Sequence, residues 1–136
     1  QLTDFAFRRF DRLSGGERQR VIIAKAVAQE PNIFLFDEPT SDLDLKNQIE
    51  VMKELRKIVS EENGKAALIA IHDINVASRF SDRIILLHEG KIISNGKPSD
   101  VLTPENIELV FEVTSRQLVD EDGILRIFIN DEITKD

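Results

Sequence analysis

The feature that most limits the possible folds is a run of consecutive apolar residues, Ile33 to Phe36, which ends in two carboxylates, Asp37 and Glu38. An unbroken apolar run is typical of a parallel strand that is covered on both faces. A second run, Ala66 to Ile71, also ends at a polar side chain, His72. Because helical patterns separate the two runs, the sequence predicts an α/β domain with a mostly parallel sheet and flanking helices.

Helix signals surround these predicted strands. Ser14 followed by Glu17 is a capping-box pattern, and the helix that it begins is expected to end before Pro31. Further helices are expected over residues 45–62 and 74–80 and from residue 104 onward, with Asp44 and Thr103-Pro104 as starts and Asn63-Gly64 as a stop.

Two hairpins are expected in the last part of the chain. The first joins a strand over residues 84–87 to a strand over residues 91–94 through the turn Glu89-Gly90. The second joins residues 117–119 to residues 124–129 through an acidic turn. Because the α/β pattern gives way to this tail hairpin near Val113, we expect domains at residues 1–113 and 114–136.

Composition excludes several classes of function. The 136 residues carry a net charge of −7, and residues 26–136 are strongly acidic whereas residues 1–25 are basic. An acidic body argues against broad nucleic-acid binding. The longest apolar run is far below the roughly 20 residues that cross a bilayer. The absence of cysteine excludes disulfides and thiolate metal sites, and the first residues lack signal-peptide features, which together favour a cytoplasmic location.

The carboxylate pair is a candidate metal and phosphate site. In open α/β sheets, ligands bind beyond the carboxyl ends of the strands. Mg²⁺ is commonly held by one or two carboxylates together with phosphate oxygens and water, which makes Asp37 the candidate ligand. Glu38 could polarise an attacking water or accept its proton. The alternative is structural: Asp37 would cap the strand end, and Glu38 would be solvated.

The glycine pair Gly15-Gly16 is a candidate anion site. Glycine lets a ligand approach the backbone closely, and the N–H groups at a helix start favour negative charge. Ser14 adds a hydroxyl donor. Taken alone, the same residues could simply form a flexible helix cap.

Three segments in this order resemble motifs of the ATPase subunit of ABC transporters. Leu13 to Arg20 resembles the signature motif, Asp37 to Asp44 resembles the Walker B and D-loop segment, and Ile71-His72-Asp73 resembles the switch-histidine region. The resemblance covers roughly Thr3 to Val113 and implies a P-loop NTPase-like fold with ATP and Mg²⁺ as cofactors. It implies catalytic roles for Glu38 and His72 and a metal-binding role for Asp37. It also implies nucleotide contacts from Ser14, Gly15, Gly16, Glu17 and Asp44. In that family, the signature residues, here Ser14 to Glu17, contact ATP that is held by the opposite subunit of a dimer.

The P-loop pattern of that family, Gly, four residues, then Gly-Lys-Ser/Thr, occurs nowhere in the chain. The nearest approach, Gly90 to Gly96-Lys97, has five intervening residues and is followed by Pro98. The chain is therefore expected to be the C-terminal part of the domain, truncated at its N-terminus. We expect it to leave one side of the sheet uncovered and to be inactive alone.

The stretch from Phe80 to Val113 is similar to importer ATPases for iron-siderophore, haem or cobalamin chelates. This likeness is carried by the runs 90–92, 96–98, 100–106 and 110–113, with Glu112 in place of the glycine common in that group. It implies a metal-chelate importer subunit, peripheral on the inner face of the cell membrane, whose partners are a second ATPase subunit and a membrane permease rather than nucleic acid. Two alternatives remain: a soluble ABC-type ATPase of DNA repair or translation, and a non-catalytic remnant that only dimerises.

Overall fold

The structure, a computed structural model, describes residues 7–41, 43–61 and 64–133. The start of the resemblance at Thr3, Asp42 of the D-loop segment, and the helix end predicted at residues 62–63 lie outside the described residues. The chain divides into two compact units, residues 1–71 and residues 72–136. This division differs from the predicted boundary near Val113, because the tail hairpin shares its core with helices that precede that residue.

In the described residues of the first unit, two helices accompany a pair of parallel strands. A 3₁₀ turn (Phe10–Arg12) is followed by α1 (Gly15–Val27), β1 (Ile33–Asp37), α2 (Leu45–Glu61) and β2 (Ala66–Ala70). The strands pair in parallel with Ile33 opposite Ala66 and Asp37 opposite Ala70. The predicted caps are confirmed, since Ser14 begins α1 and Asp44 accepts a backbone hydrogen bond at the start of α2.

Only one face of this strand pair is covered. Phe34 is 3% exposed, and α2 buries Val51, Met52 and Leu55 among its described side chains. On the opposite face, Ile33, Leu35 and Leu68 are 65%, 74% and 58% exposed. The prediction that β1 is buried on both faces is therefore wrong, because the first unit supplies helices to one side only. The expectation of an uncovered sheet face is confirmed.

The second unit, as far as residue 133, contains two antiparallel hairpins and three helices. Its elements are α3 (Ile74–Phe80), β3 (Ile84–His88), β4 (Lys91–Gly96), α4 (Pro98–Val101), α5 (Pro104–Phe111), β5 (Val113–Val119) and β6 (Leu125–Glu132). Both predicted hairpins are confirmed, β3 with β4 and β5 with β6. The α/β class is confirmed: the described strands form three two-stranded sheets, of which β1–β2 is parallel and the two hairpins are antiparallel.

The reason for the antiparallel pairing is local turn geometry. Glu89 and Gly90 have φ angles of 47° and 74°, which turn the chain directly back from β3 into β4. None of the helices in the described part of the chain combines the length and apolar character needed to span a bilayer.

The core of the second unit joins the tail hairpin to its helices. Leu102, Ile107, Leu125 and Ile127 form one buried cluster. Polar side chains of α3 bind the backbone of β6: the Asn75 Nδ2 donates to the Ile127 carbonyl at 2.9 Å, and the Ile127 N–H donates to Asn75 Oδ1 at 2.8 Å. Ser78 Oγ donates to the Leu125 carbonyl at 2.7 Å. These bonds satisfy backbone groups of β6 that β5 does not pair.

Candidate functional site

The carboxylate pair lies at the carboxyl end of β1. Asp37 is the last residue of the strand, and both Asp37 and Glu38 are exposed. The Glu38 N–H donates to the Ala70 carbonyl of β2 at 3.0 Å. Ser41 donates to the Glu38 carbonyl twice, from its N–H at 3.1 Å and from its Oγ at 2.9 Å. The backbone at Glu38 is thus fixed by hydrogen bonds while its side chain lies on the surface.

The turn after β1 holds Glu38 in an uncommon backbone conformation. Its φ is 43°, in the left-handed region that non-glycine residues rarely adopt, which costs about 1–3 kcal/mol. Pro39 and Thr40, the next two residues, are buried, and Gln48 Nε2 of α2 donates to the Thr40 carbonyl at 3.3 Å. The buried turn therefore stabilises the strained residue.

The donor set here fits a magnesium ion through one carboxylate. Mg²⁺ keeps several waters and takes one or two carboxylates plus phosphate oxygens, and Asp37 can supply one such ligand. No group of three or more histidine, aspartate or glutamate side chains suited to a metal occurs in the described part of the chain. The remaining ligands would have to be phosphate oxygens and water.

The glycine turn begins α1 with the predicted capping box. The Glu17 N–H donates to Ser14 Oγ at 3.3 Å, and the Ser14 N–H donates to Glu17 Oε2 at 2.8 Å. The Ser14 backbone N–H is the main cause that holds the pKa of Glu17 below its usual range, and the Ser14 side chain and the Arg8 charge add to it. Glu17 is therefore an ionised carboxylate directed back at the helix cap.

The capping box leaves donors for an anion. It uses the N–H groups of Ser14 and Glu17, and no acceptor for the N–H groups of Gly15 and Gly16 is found among the residues that the structure describes. Gly15 is exposed, whereas Gly16 is buried. The Gly15 N–H, the Ser14 hydroxyl and the helix dipole can together bind a phosphate oxygen.

Asp44 is linked to this turn by Asn47, a residue that sequence analysis missed. Asp44 Oδ1 accepts the Asn47 N–H at 2.8 Å, and Asp44 Oδ2 accepts Asn47 Nδ2 at 3.0 Å. The Asn47 backbone N–H is the main cause that lowers the pKa of Asp44. A Cβ added to Gly16 would lie 2.7 Å from Asn47 Oδ1. The available signal was the three-residue spacing from Asp44 to Asn47, which is that of a capping box.

The two arginines of the signature segment make contacts within the first unit. Arg18 Nε donates to the Leu13 carbonyl at 2.9 Å, and its Nη2 donates to the Asp11 carbonyl at 3.0 Å. Arg20 of α1 forms ion pairs with Glu50 and Glu54 of α2. Both side chains therefore make contacts that support the surroundings of the glycine turn.

His72 is the first residue of the second unit and is exposed. Asp73, the next residue, caps α3: its Oδ1 accepts the N–H groups of Asn75 and Val76 at 2.9 and 3.0 Å. Asp37 pairs with Ala70 in the strand register, and His72 comes two residues after Ala70. The convergence of His72 with Asp37 and Glu38 at one rim stays a prediction.

Known proteins match the chain over most of its length. Residues 1–41 match the family described as ABC transporter. A petrobactin import ATP-binding protein of Bacillus subtilis is 40% identical over 114 residues, which are 84% of this chain and 45% of that protein. A phosphonates import ATP-binding protein of Nitratidesulfovibrio vulgaris is 51% identical over 98 residues, 72% of this chain and 37% of that protein.

Solved structures give the same result. One is an ABC transporter described as of the metal-chelate type, in an inward-facing conformation. The match covers 96% of this chain and 52% of that chain, with a TM-score of 0.84 and 30% identity. Another is a dimeric ATP-binding cassette in a post-hydrolysis state with ADP and phosphate. The match covers 70% of this chain and 40% of that chain, with a TM-score of 0.60 and 45% identity. The chain spans less than half the length of the curated relatives it matches. By its motifs, its fold and these matches, the chain belongs to the family of ABC transporter ATP-binding proteins and corresponds to part of their ATP-binding cassette.

Proposed function

We propose that this chain supplies the signature, Walker B and switch-histidine parts of an ATP-hydrolysing subunit that energises an ABC importer of metal chelates. The observation that carries the proposal is the pair Asp37-Glu38, whose carboxylates are exposed at the end of β1 while the backbone is held by β2. The similarity to a transporter of the metal-chelate type over 96% of the chain supports the class of cargo.

The proposed roles follow from the chemistry of each side chain. Bound magnesium would neutralise phosphate charge, and Asp37 would hold it. Glu38 would orient the attacking water and accept its proton. His72 would donate a hydrogen bond to the terminal phosphate, which imidazole can do near neutral pH. Phosphoryl transfer depends mainly on such positioning and charge neutralisation, so these three groups suffice on the side of the water.

The proposed partners are a second ATPase subunit and a membrane permease, with the protein on the inner face of the cell membrane. In such a dimer, the Ser14 hydroxyl and the Gly15 N–H would donate to phosphate of the nucleotide held by the opposite subunit. The dimeric cassette with ADP and phosphate, 45% identical to this chain, supports that arrangement.

The proposal is tested by joining the chain to the P-loop-bearing first half of an ABC cassette. The 136 residues alone should show no detectable ATP hydrolysis, since no P-loop pattern occurs in them. The joined protein should hydrolyse ATP with magnesium, and Glu38→Gln should lower kcat by about 10²–10⁴-fold while ATP still binds. Glu89→Gln is the matched control, because Glu89 is also exposed with a φ of 47°.

Two results would contradict this proposal. The first is magnesium-dependent turnover by the 136 residues that Glu38→Gln leaves unchanged. The second is an equal loss of kcat in both glutamate variants of the joined protein. The cargo class is tested in cells that lack their own importer ATPase, where the joined protein should restore uptake of a ferric siderophore. Restored phosphonate uptake instead would overturn the metal-chelate assignment, and hydrolysis without permease binding would favour an ATPase unconnected with transport.

A further inference from the structure

The starting observation is a close approach between the two helices of the first unit. Gly16 is the second residue of α1, is buried, and lies against Asn47 in the first turn of α2. A Cβ built on Gly16 would lie 2.7 Å from Asn47 Oδ1 and 2.9 Å from Asn47 Cγ. Real side chains essentially never show contacts this short, so any residue larger than glycine would displace the Asn47 amide.

The Asn47 amide is held at its other end by Asp44. Its Nδ2 donates to Asp44 Oδ2 at 3.0 Å, and an ionised carboxylate can only accept, which fixes the nitrogen toward Asp44 and the oxygen toward Gly16. The Asn47 backbone N–H binds Asp44 Oδ1 independently at 2.8 Å. One planar side chain thus touches both the glycine turn of α1 and the cap of α2.

We propose that Asn47 is a positioning residue that links the glycine turn at the start of α1 to Asp44 at the start of α2. A movement of the turn toward α2 pushes the amide and breaks its bond to Asp44, while a movement of Asp44 releases the amide from Gly16. The structural link does not depend on the proposed function, but its functional consequence does. If phosphate binds at the Gly15 N–H, Asp44 senses it through Asn47.

The first test is a double-mutant cycle between Gly16→Ala and Asn47→Ala on the intact chain. Alanine exceeds glycine in helix propensity by a factor of up to about five in the folding equilibrium constant. In the Asn47→Ala background, Gly16→Ala should therefore stabilise the chain, because the two short contacts are gone and the nearest remaining one, to the Asn47 Cβ, is 3.4 Å. In the original background it should destabilise, by about fivefold or more, giving the coupling expected of residues in contact.

The control for this cycle is Gly96→Ala. A Cβ at Gly96 would meet its nearest neighbours at 3.5 Å, which is an ordinary contact. Its effect on the unfolding equilibrium, measured by urea denaturation, should be the same with and without Asn47→Ala. If Gly16→Ala has the same sign and size in both backgrounds, the positioning role of Asn47 is wrong.

The second test measures Asp44 directly and does not depend on global stability. The pKa of the Asp44 carboxyl, followed by carbon NMR during a pH titration, should rise toward its ordinary value in Gly16→Ala and in Asn47→Ala. In the double variant it should rise no further than in Asn47→Ala alone. An Asp44 titration that is unchanged by Gly16→Ala would overturn the link. Neither test involves nucleotide, so their failure is distinguishable from a failure of the ATPase proposal.

Discussion

The inner strand residues of the tail hairpin, Leu125 and Ile127, are 9% and 4% exposed, whereas Leu35 and Leu68 of the parallel pair are 74% and 58% exposed. The hairpin is covered by α3 and α5 of its own unit, while the parallel pair is covered on one face only. A parallel pair normally needs helices on both faces. Apolar strand residues therefore differ in burial because of what the rest of their unit supplies.

The same contrast applies to the candidate chemistry. Ser14, Asp37, Glu38 and Asp44 belong to the first unit, whose sheet has an open apolar face, and only His72 belongs to the second. The second unit instead uses its polar side chains for support: Asn75 and Ser78 bind the backbone of β6. The unit richer in proposed ligand groups is thus the one with the less complete core.

The largest expected effect compares a core residue of one unit with an open-face residue of the other. Ile107→Ala removes a side chain that is 0% exposed and should destabilise the second unit by about 2–5 kcal/mol. Leu35→Ala, at 74% exposure, should change stability by less than about 0.5 kcal/mol. Urea denaturation followed by circular dichroism measures both. Comparable losses in the two variants would mean that the face at Leu35 is buried in solution, for instance by self-association.

A smaller effect is expected from the polar contacts of α3. Ser78→Ala removes the donor to the Leu125 carbonyl and leaves this buried acceptor unpaired, which should cost about 1–3 kcal/mol. Ser99→Ala is the control, since Ser99 is exposed and bonds only the adjacent Asp100 in the described structure. Hydrogen exchange should become faster along β6 in the first variant alone. Unchanged exchange there would remove α3 as the support of the tail hairpin.

Local signals allowed most elements to be predicted from the sequence. The capping pattern of Ser14 and Glu17, the Thr103-Pro104 helix start and the Glu89-Gly90 turn each specify a boundary through neighbouring residues. These features depend on backbone chemistry within a few positions, so one sequence is enough to find them.

Features set by distant residues could not be predicted. The apolar run of β1 gives no sign of which face is covered, because this depends on helices elsewhere in the chain. In α1, Ile23 is buried while the adjacent Ile22 is 47% exposed, although both are equally apolar. The contact between Gly16 and Asn47 joins residues 31 positions apart, and no periodic pattern reports it.

The smallest expected effect compares one partly buried carboxylate from each unit. The pKa of Glu17 is lowered mainly by the Ser14 N–H, and the pKa of Asp120 is lowered mainly by the Ile124 N–H, with the Arg126 side chain adding to it. A lowered folded-state pKa gives stability that is present above the ordinary value of about 4 and is lost as the pH falls through the folded value. Glu17→Gln and Asp120→Asn should each flatten part of this acid dependence.

Salt separates the possible causes of that dependence. Exposed ion pairs are screened at about 1 M salt, whereas hydrogen bonds from a backbone N–H are much less affected. Backbone donors are the largest cause of the lowered pKa at both carboxylates, so most of the acid dependence of stability should survive added salt. The part that salt removes should be greater at Asp120, because Arg126 Nε contacts its carboxylate at 2.7 Å. Urea denaturation between about pH 6 and pH 2.5, with and without salt, measures this. If salt abolished the contribution of Glu17, ion pairing with Arg8 would outweigh the capping box, and the cap of α1 would depend on a surface charge instead of its own backbone.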